Sequence, residues 1–184
     1  MNIFLDMDGV ITRFVLGAQK VHDQVGTEAN QWDFFKNWGI SSSEFWKKIN
    51  KEPNFWKELE PYDHFQDLIN LIEKYDPNYK ILTSPFNSPE CYSGKYIWLK
   101  KHLGLDCQKR AIFTGAKEFL AAPGRVLIDD NDLNCQKWSD HGGVAILFPQ
   151  PWNMAYNIRN KLDFVEKCLD AYKNLLSEDE EIGE

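Results

Sequence analysis

The sequence predicts an α/β fold: a central parallel sheet with helices on its faces and a small helical segment inserted after the first strand. Three observations predict it. Apolar runs of strand length recur along the chain, helical stripes alternate with them, and one long aromatic-rich stretch carries no strand-like run. Strands that alternate with helices form βαβ units, and these demand parallel pairing. The length of 184 residues fits one domain at roughly 150 residues each. A chain of this size buries about 70% of its unfolded surface and needs no disulfide or structural metal to fold.

The first strand is Ile3, Phe4 and Leu5, an unbroken apolar run of the kind that a buried parallel strand shows. The stretch from about 15 to 62 follows. It holds Trp32, Phe34, Phe35, Trp38, Phe45, Trp46, Phe55 and Trp56, with four of the seven tryptophans. A structureless loop of that length is improbable in a small domain, so a helical insert is expected. Its rings have two readings, a core of their own or the lining of a pocket for a flat ligand. Both can hold for different rings. Phe65, Leu68, Ile69 and Ile72 then follow i, i+3, i+4, i+7 spacing, and Asp76-Pro77 ends that helix. The second strand is Lys80–Ser84. Tyr96, Leu99 and Leu103 make a further helical stripe, closed by Gly104. Ala111–Phe113 is a weaker strand, and Arg125–Asp129 and Val144–Phe148 are strong ones. Ile158, Leu162, Val165, Leu169, Tyr172 and Leu176 mark a C-terminal amphipathic helix. The expected organisation is a core from 1–15 and 63–176, a cap from 16–62, and an acidic disordered tail from 177–184.

Composition narrows the function classes. The net charge of -7 argues against a protein that lives on nucleic-acid backbones. No apolar run approaches the roughly 20 residues of a membrane span, and the N-terminus lacks the pattern of a signal peptide. Cys91, Cys107, Cys135 and Cys168 form no CxxC pair and no zinc spacing. Free thiols in a reducing cytoplasm are therefore expected.

The chemistry-bearing residues lie just beyond strands. Asp6 and Asp8 follow the first strand directly, with Gly9 to let the chain turn away. Ligands of open α/β sheets bind beyond the carboxyl ends of strands. Two carboxylates there repel each other unless a cation intervenes, and oxygen donors suit Mg2+; the competing reading is a polar turn that caps a helix. Thr83-Ser84-Pro85 follows the second strand, Asp129-Asp130 follows another, and Lys117 precedes that strand. Acids for a metal, with a lysine and a threonine for an anion, describe a phosphate site.

In that order, Asp6-x-Asp8-Gly9-Val10, Ile81-Leu82-Thr83-Ser84, Lys117 and Ile128-Asp129-Asp130 resemble the four motifs of the haloacid dehalogenase-like (HAD) phosphatase superfamily. Phe14, Asn54–Pro61 and Lys95-Tyr96-x-Trp98 make the chain similar to the 5′(3′)-deoxyribonucleotidases. The resemblance implies a three-layer Rossmann-like core with a cap after the first strand. It implies Asp6 as nucleophile and Asp8 as general acid and base. Mg2+ would be held by Asp6, the Asp8 carbonyl and Asp130, with Asp129 supporting them. Thr83, Ser84 and Lys117 would bind phosphate, and Phe14, Trp46, Phe55 and Trp56 would form the base pocket. An acid two residues after the nucleophile favours a phosphatase over a dehalogenase or a P-type pump.

The implied substrate is a small-molecule nucleoside monophosphate, with no membrane or nucleic-acid partner; a homodimer is admitted. The alternatives are another small phosphoester, a 3′-phosphate end of a nucleic acid, and a non-catalytic nucleotide-binding protein. Arg13 has two readings, a phosphate or sugar contact or an ion pair with a cap carboxylate.

Overall fold

Ile3, Phe4 and Leu5 are all buried, as a strand inside a sheet covered on both faces must be. The computed structural model describes residues 1–104 and 106–182. Its strands are β1 (Asn2–Leu5), β2 (Lys80–Thr83), β3 (Ala111–Phe113), β4 (Arg125–Asp129) and β5 (Val144–Leu147). Its helices are α1 (Phe14–Val21), α2 (Ser42–Ile49), α3 (Phe65–Tyr75), α4 (Pro89–Leu103), α5 (Cys107–Arg110), α6 (Asp132–Asp140) and α7 (Lys161–Ile182). Short 3-10 turns lie at Phe34–Trp38 and Lys117–Leu120.

The strands form one parallel sheet in the order β3-β2-β1-β4-β5. Side-chain alternation sorts its faces. Ile3 and Leu5 join Ile81, Val126 and Ile128 against Leu68 and Ile72 of α3, Trp98 and Leu99 of α4, and Val165 and Leu169 of α7. On the other face Phe4, Leu82 and Leu127 pack on Trp138 of α6. The result is the three-layer α/β architecture that the sequence predicts. From β1 the chain steps outward through β2 to β3, then returns to β4 on the other side. The loops after β1, β2 and β4 therefore share one crevice.

The helices start and stop where their sequences specify. Ser41 and Glu44 form a reciprocal capping box on α2. Ser88 caps α4 by accepting the Cys91 N–H at 3.2 Å, Pro89 occupies its first turn, and Gly104 ends it at φ +58. Asn131 caps α6 by accepting the Asn134 N–H at 2.9 Å.

The insert folds as α1, the 3-10 turn and α2, starting at Phe14. Its two ends run side by side: Arg13 N–H donates to the Glu60 carbonyl at 2.8 Å and Tyr62 N–H to the Ile11 carbonyl at 3.1 Å. Phe45 is buried beneath Phe35 at 4.6 Å and Phe34 at 5.7 Å between ring centres. These rings are continuous with the core under the sheet.

The C-terminal end differs from expectation. α7 begins at Lys161 and not at Ile158, and it runs through Ile182. Residues 177–182, expected as a disordered tail, are thus helical; residues 183–184 lie outside the described residues. The physical reason is propagation. Val165 and Leu169 anchor the helix in the core, and each further residue then gains a backbone hydrogen bond without a new nucleation cost.

Candidate active site

The crevice gathers acidic groups from two strand ends. Asp6 follows β1 and its N–H donates to the Ile128 carbonyl at 2.9 Å, which locks it beside β4. Asp129 ends β4 and Asp130 follows. Carboxylate oxygens of Asp6, Asp129 and Asp130 lie within 4.8 Å of one another, and all three residues are buried. Lys117, from the 3-10 turn, reaches in with Nζ 2.7 Å from Asp6 and 2.6 Å from Asp129. Asp129 is saturated: one oxygen takes Lys117, while the Asn131 N–H at 2.9 Å and the Asn134 amide fill the rest.

Electrostatics follow from burial. Burial pushes the Asp6 carboxyl up to about 7, against the pull of the Lys117 ammonium. Burial, with the Asp129 and Asp6 charges, lifts Asp130 well above the usual carboxylate range. Burial works against the Lys117 ammonium, yet Asp6 and Asp129 outweigh it and hold it above the ordinary lysine value. Asp130 Oδ1 is buried without a hydrogen-bond partner among the described residues. An orphaned carboxylate oxygen beside a second carboxylate fits a hard divalent cation, which would satisfy it and relieve the repulsion.

Gly9 makes this cluster possible. Its φ is +80, and a Cβ there would fall 2.0 Å from Asp130 Oδ2. Trp152, from the loop after β5, donates its indole N–H to that same oxygen at 2.8 Å.

The second half of the site is built around Asp8. Its Oδ1 accepts from the Thr12 hydroxyl at 2.9 Å and its Oδ2 from Lys95 at 2.5 Å. Lys95 is fully buried in α4; it also donates to Thr83 Oγ1 at 2.7 Å and lies 5.3 Å from the Trp56 ring centre. Ser84 faces the same space, with its hydroxyl donating to the Thr114 carbonyl at 3.2 Å.

These groups open into a cavity of about 420 Å³ whose far wall is aromatic, with Phe14, Trp46, Trp56 and Phe86. Trp46 stacks on Phe86 at 4.7 Å, and Phe14 on Trp56 at 5.8 Å. Phe55 does not line this cavity; it packs edge-on behind Phe14 and Trp56. Arg13 turns away from the cavity to pair with Asp63 at 2.6 Å and to donate to the Pro61 carbonyl. Its partner, Asp63, stands just beyond the expected cap of 16–62, at the first residue of the returning core segment.

Asp6, Asp8, Thr83, Ser84, Lys117 and Asp130 thus converge as the sequence motifs predict. Three residues carry contacts that sequence reasoning assigned to none. Lys95 was legible in one respect: with Cys91 and Leu99 it occupies a buried helical stripe, and a lysine on such a stripe needs a charged partner. Phe86 and Trp152 stand in loops with no periodicity to reveal them.

The family model described as "5' nucleotidase, deoxy (Pyrimidine), cytosolic type C protein" matches residues 1–164. A Bordetella pertussis protein named "Putative 5'(3')-deoxyribonucleotidase" is 25% identical over 177 residues, covering 89% of this chain and 91% of its own. The human cytosolic-type 5'(3')-deoxyribonucleotidase is 26% identical over 145 residues, covering 72% and 71%. Among solved structures, the "putative HAD-hydrolase YfnB from Bacillus subtilis bound to magnesium" has the same fold, with a TM-score of 0.55 at 16% identity over 91% of this chain and 97% of that one. With a family match over residues 1–164, the chain belongs to the cytosolic type C 5′-nucleotidase family and is a phosphoric monoester hydrolase.

Proposed function

We propose that the protein hydrolyses nucleoside monophosphates, deoxyribonucleotides among them, through a phosphoryl group carried on Asp6. The observation that supports this reading is a single cavity with Asp6, Asp8, Thr83, Lys117 and Asp130 at one end and stacked aromatic rings at the other. A flat base and a phosphate joined by a sugar match those two ends.

Asp6 attacks phosphorus in line, and the ester oxygen leaves with a proton from Asp8. Asp8 then takes a proton from the water that attacks the aspartyl phosphate, and inorganic phosphate departs. Thr12 and Lys95 hold the Asp8 carboxylate in position for both steps. Lys117, already against Asp6, is set to stabilise charge on the transferring oxygens, where a fixed cation in a dry site counts most. Thr83 presents its hydroxyl from the end of β2. Ser84 adds its backbone to that edge. Mg2+ fits Asp6, Asp130 and the Asp8 carbonyl, and supplies charge neutralisation between an anionic nucleophile and an anionic ester. Asp129, saturated by its own donors, supports that set from behind. Phe14, Trp46 and Trp56 offer stacking faces, each base contact contributing about 1–3 kcal/mol.

Phosphate release is to be measured across deoxyribo- and ribonucleoside monophosphates, sugar phosphates and a 3′-phosphorylated oligonucleotide, with and without EDTA. Mononucleotides are expected to turn over with a divalent cation and to stop with EDTA. Turnover of sugar phosphates alone, or of the oligonucleotide alone, refutes the nucleotide reading. Tight nucleotide binding with no turnover under any divalent metal refutes the catalytic one.

A further inference from the structure

The two oxygens of Asp130 have different fates. Oδ1 has no partner among the described residues. Oδ2 is held from two sides: the Trp152 indole N–H donates to it at 2.8 Å, and Gly9 packs so closely that a Cβ would meet it at 2.0 Å. The loop that carries Trp152 is itself tied down. Asn153 donates its side-chain amide to the Asp130 carbonyl and to the Phe148 carbonyl, both at 2.8 Å. Gln150 donates to the Gly9 carbonyl and accepts from Lys161 at 2.9 Å. One short segment after β5 therefore braces the nucleophile loop and the Asp130 loop together.

We propose that Trp152 is a positioning residue that confines Asp130 to a single ligating oxygen and thereby tunes the site toward small octahedral cations and against Ca2+. The inference rests on the metal reading given above and adds to it a determinant of which metal is held. Ca2+ accommodates about six to eight oxygens at roughly 2.3–2.6 Å and readily takes both oxygens of one carboxylate. Mg2+ holds six ligands at roughly 2.0–2.1 Å in strict geometry, and one oxygen per carboxylate suits it. An indole N–H fixed on Oδ2 leaves only Oδ1 to offer. Without that donor the carboxylate can turn and present both oxygens. The selectivity thus comes from a side chain that never touches the metal, in keeping with the role of outer partners in orienting ligands.

The test is calorimetric titration of Mg2+ and of Ca2+ into the metal-stripped full chain, without substrate. Wild type is expected to bind Mg2+ more tightly than Ca2+. Trp152→Phe keeps a ring of similar shape and removes the donor; it is expected to lose roughly tenfold or more in Mg2+ affinity while Ca2+ affinity holds or rises. Trp152→His keeps a ring N–H and is expected to keep more of the preference. An unchanged Mg2+ to Ca2+ ratio in Trp152→Phe overturns the proposal, as does equal loss in both variants. Asp130→Asn separates this from the underlying reading: if it binds Mg2+ as wild type does, the metal site itself is wrong.

Should Trp152→Phe fail to fold, nitrogen-15 spectra of the wild-type protein decide, with the Trp152 indole signal assigned by its loss in Trp152→His. Mg2+ is expected to leave that N–H hydrogen-bonded and slow to exchange, and Ca2+ to free it. The same behaviour with both ions overturns the proposal.

Discussion

Lys117 stands 2.7 Å from Asp6 and 2.6 Å from Asp129, all three side chains being nearly out of contact with water. The lysine therefore has two duties that a mutation cannot separate cleanly. Lys117→Met removes the cation proposed to stabilise the transferring phosphoryl, and it also strands two buried carboxylates. Breaking one partner of a buried pair costs about 3–5 kcal/mol, so the variant is expected to show a marked fall in denaturation midpoint as well as lost turnover. Asp8 is the cleaner probe. Asp8→Asn keeps an oxygen for Lys95 and an amide for Thr12, so the fold is expected to hold by circular dichroism. Its kcat is expected to fall by about 10²–10⁴-fold, the usual worth of a positioned acid and base. Among residues, those at or just beyond the end of a strand were legible: Asp6, Asp8, Thr83, Asp129 and Asp130 announce themselves by an apolar run before them. Lys95 sits mid-helix, where a lysine ordinarily faces water. Its stripe with Cys91 and Leu99 signals burial, but its pairing with Asp8 and Thr83 is a tertiary fact that no local pattern encodes.

At the scale of elements, strand and helix positions follow closely from apolar run length and from caps. The insert was legible as helical, but not its division into α1, a 3-10 turn and α2, because its apolar rings pack in three dimensions without a clean helical period. The helical end of α7 was hidden for another reason: a run of acidic residues reads as solvated chain, while the anchored helix before it extends at little cost. The contact between α4 and the cap yields a test. A Cβ on Gly94 would sit 2.5 Å from the Cβ of Trp56. Helix propensity alone favours Gly94→Ala by roughly 1 kcal/mol. Overpacking of a buried contact costs about 1–3 kcal/mol and is expected to win. The variant is predicted to lower the thermal midpoint by several degrees and to raise KM more than it lowers kcat, since it displaces Trp56 and leaves Asp6 in place. A raised midpoint would mean that α4 shifts freely.

Over the whole molecule, stability is linked to pH through the carboxylate cluster. Asp6 has a folded value of about 7 against an ordinary 3.8. Its proton is retained in the folded protein and lost in the unfolded one between those values. The metal-free fold is therefore destabilised by this group as pH rises from about 4 to about 7, and the penalty is constant above. On the proposed metal reading, a divalent cation takes the place of that proton. Mg2+ is expected to raise the thermal midpoint little at pH 5 and substantially at pH 8, with affinity falling by about tenfold per pH unit below 7 for each proton displaced. A pH-independent Mg2+ shift in differential scanning fluorimetry would show that the cation binds elsewhere. No described helix is long and apolar enough to cross a membrane.

Lys95 joins the acid Asp8, the threonine at the end of β2 and the face of Trp56 through one ammonium group. On the proposed function, chemistry and base recognition share a neighbour, and substitutions on either side of it are expected not to be additive. A substitution of Trp56 is expected to disturb Lys95 and, through it, Asp8 as well. Under that reading, drift in substrate range is expected to favour paths where both ends of the cavity change in step, so the shared ammonium predicts epistasis between them.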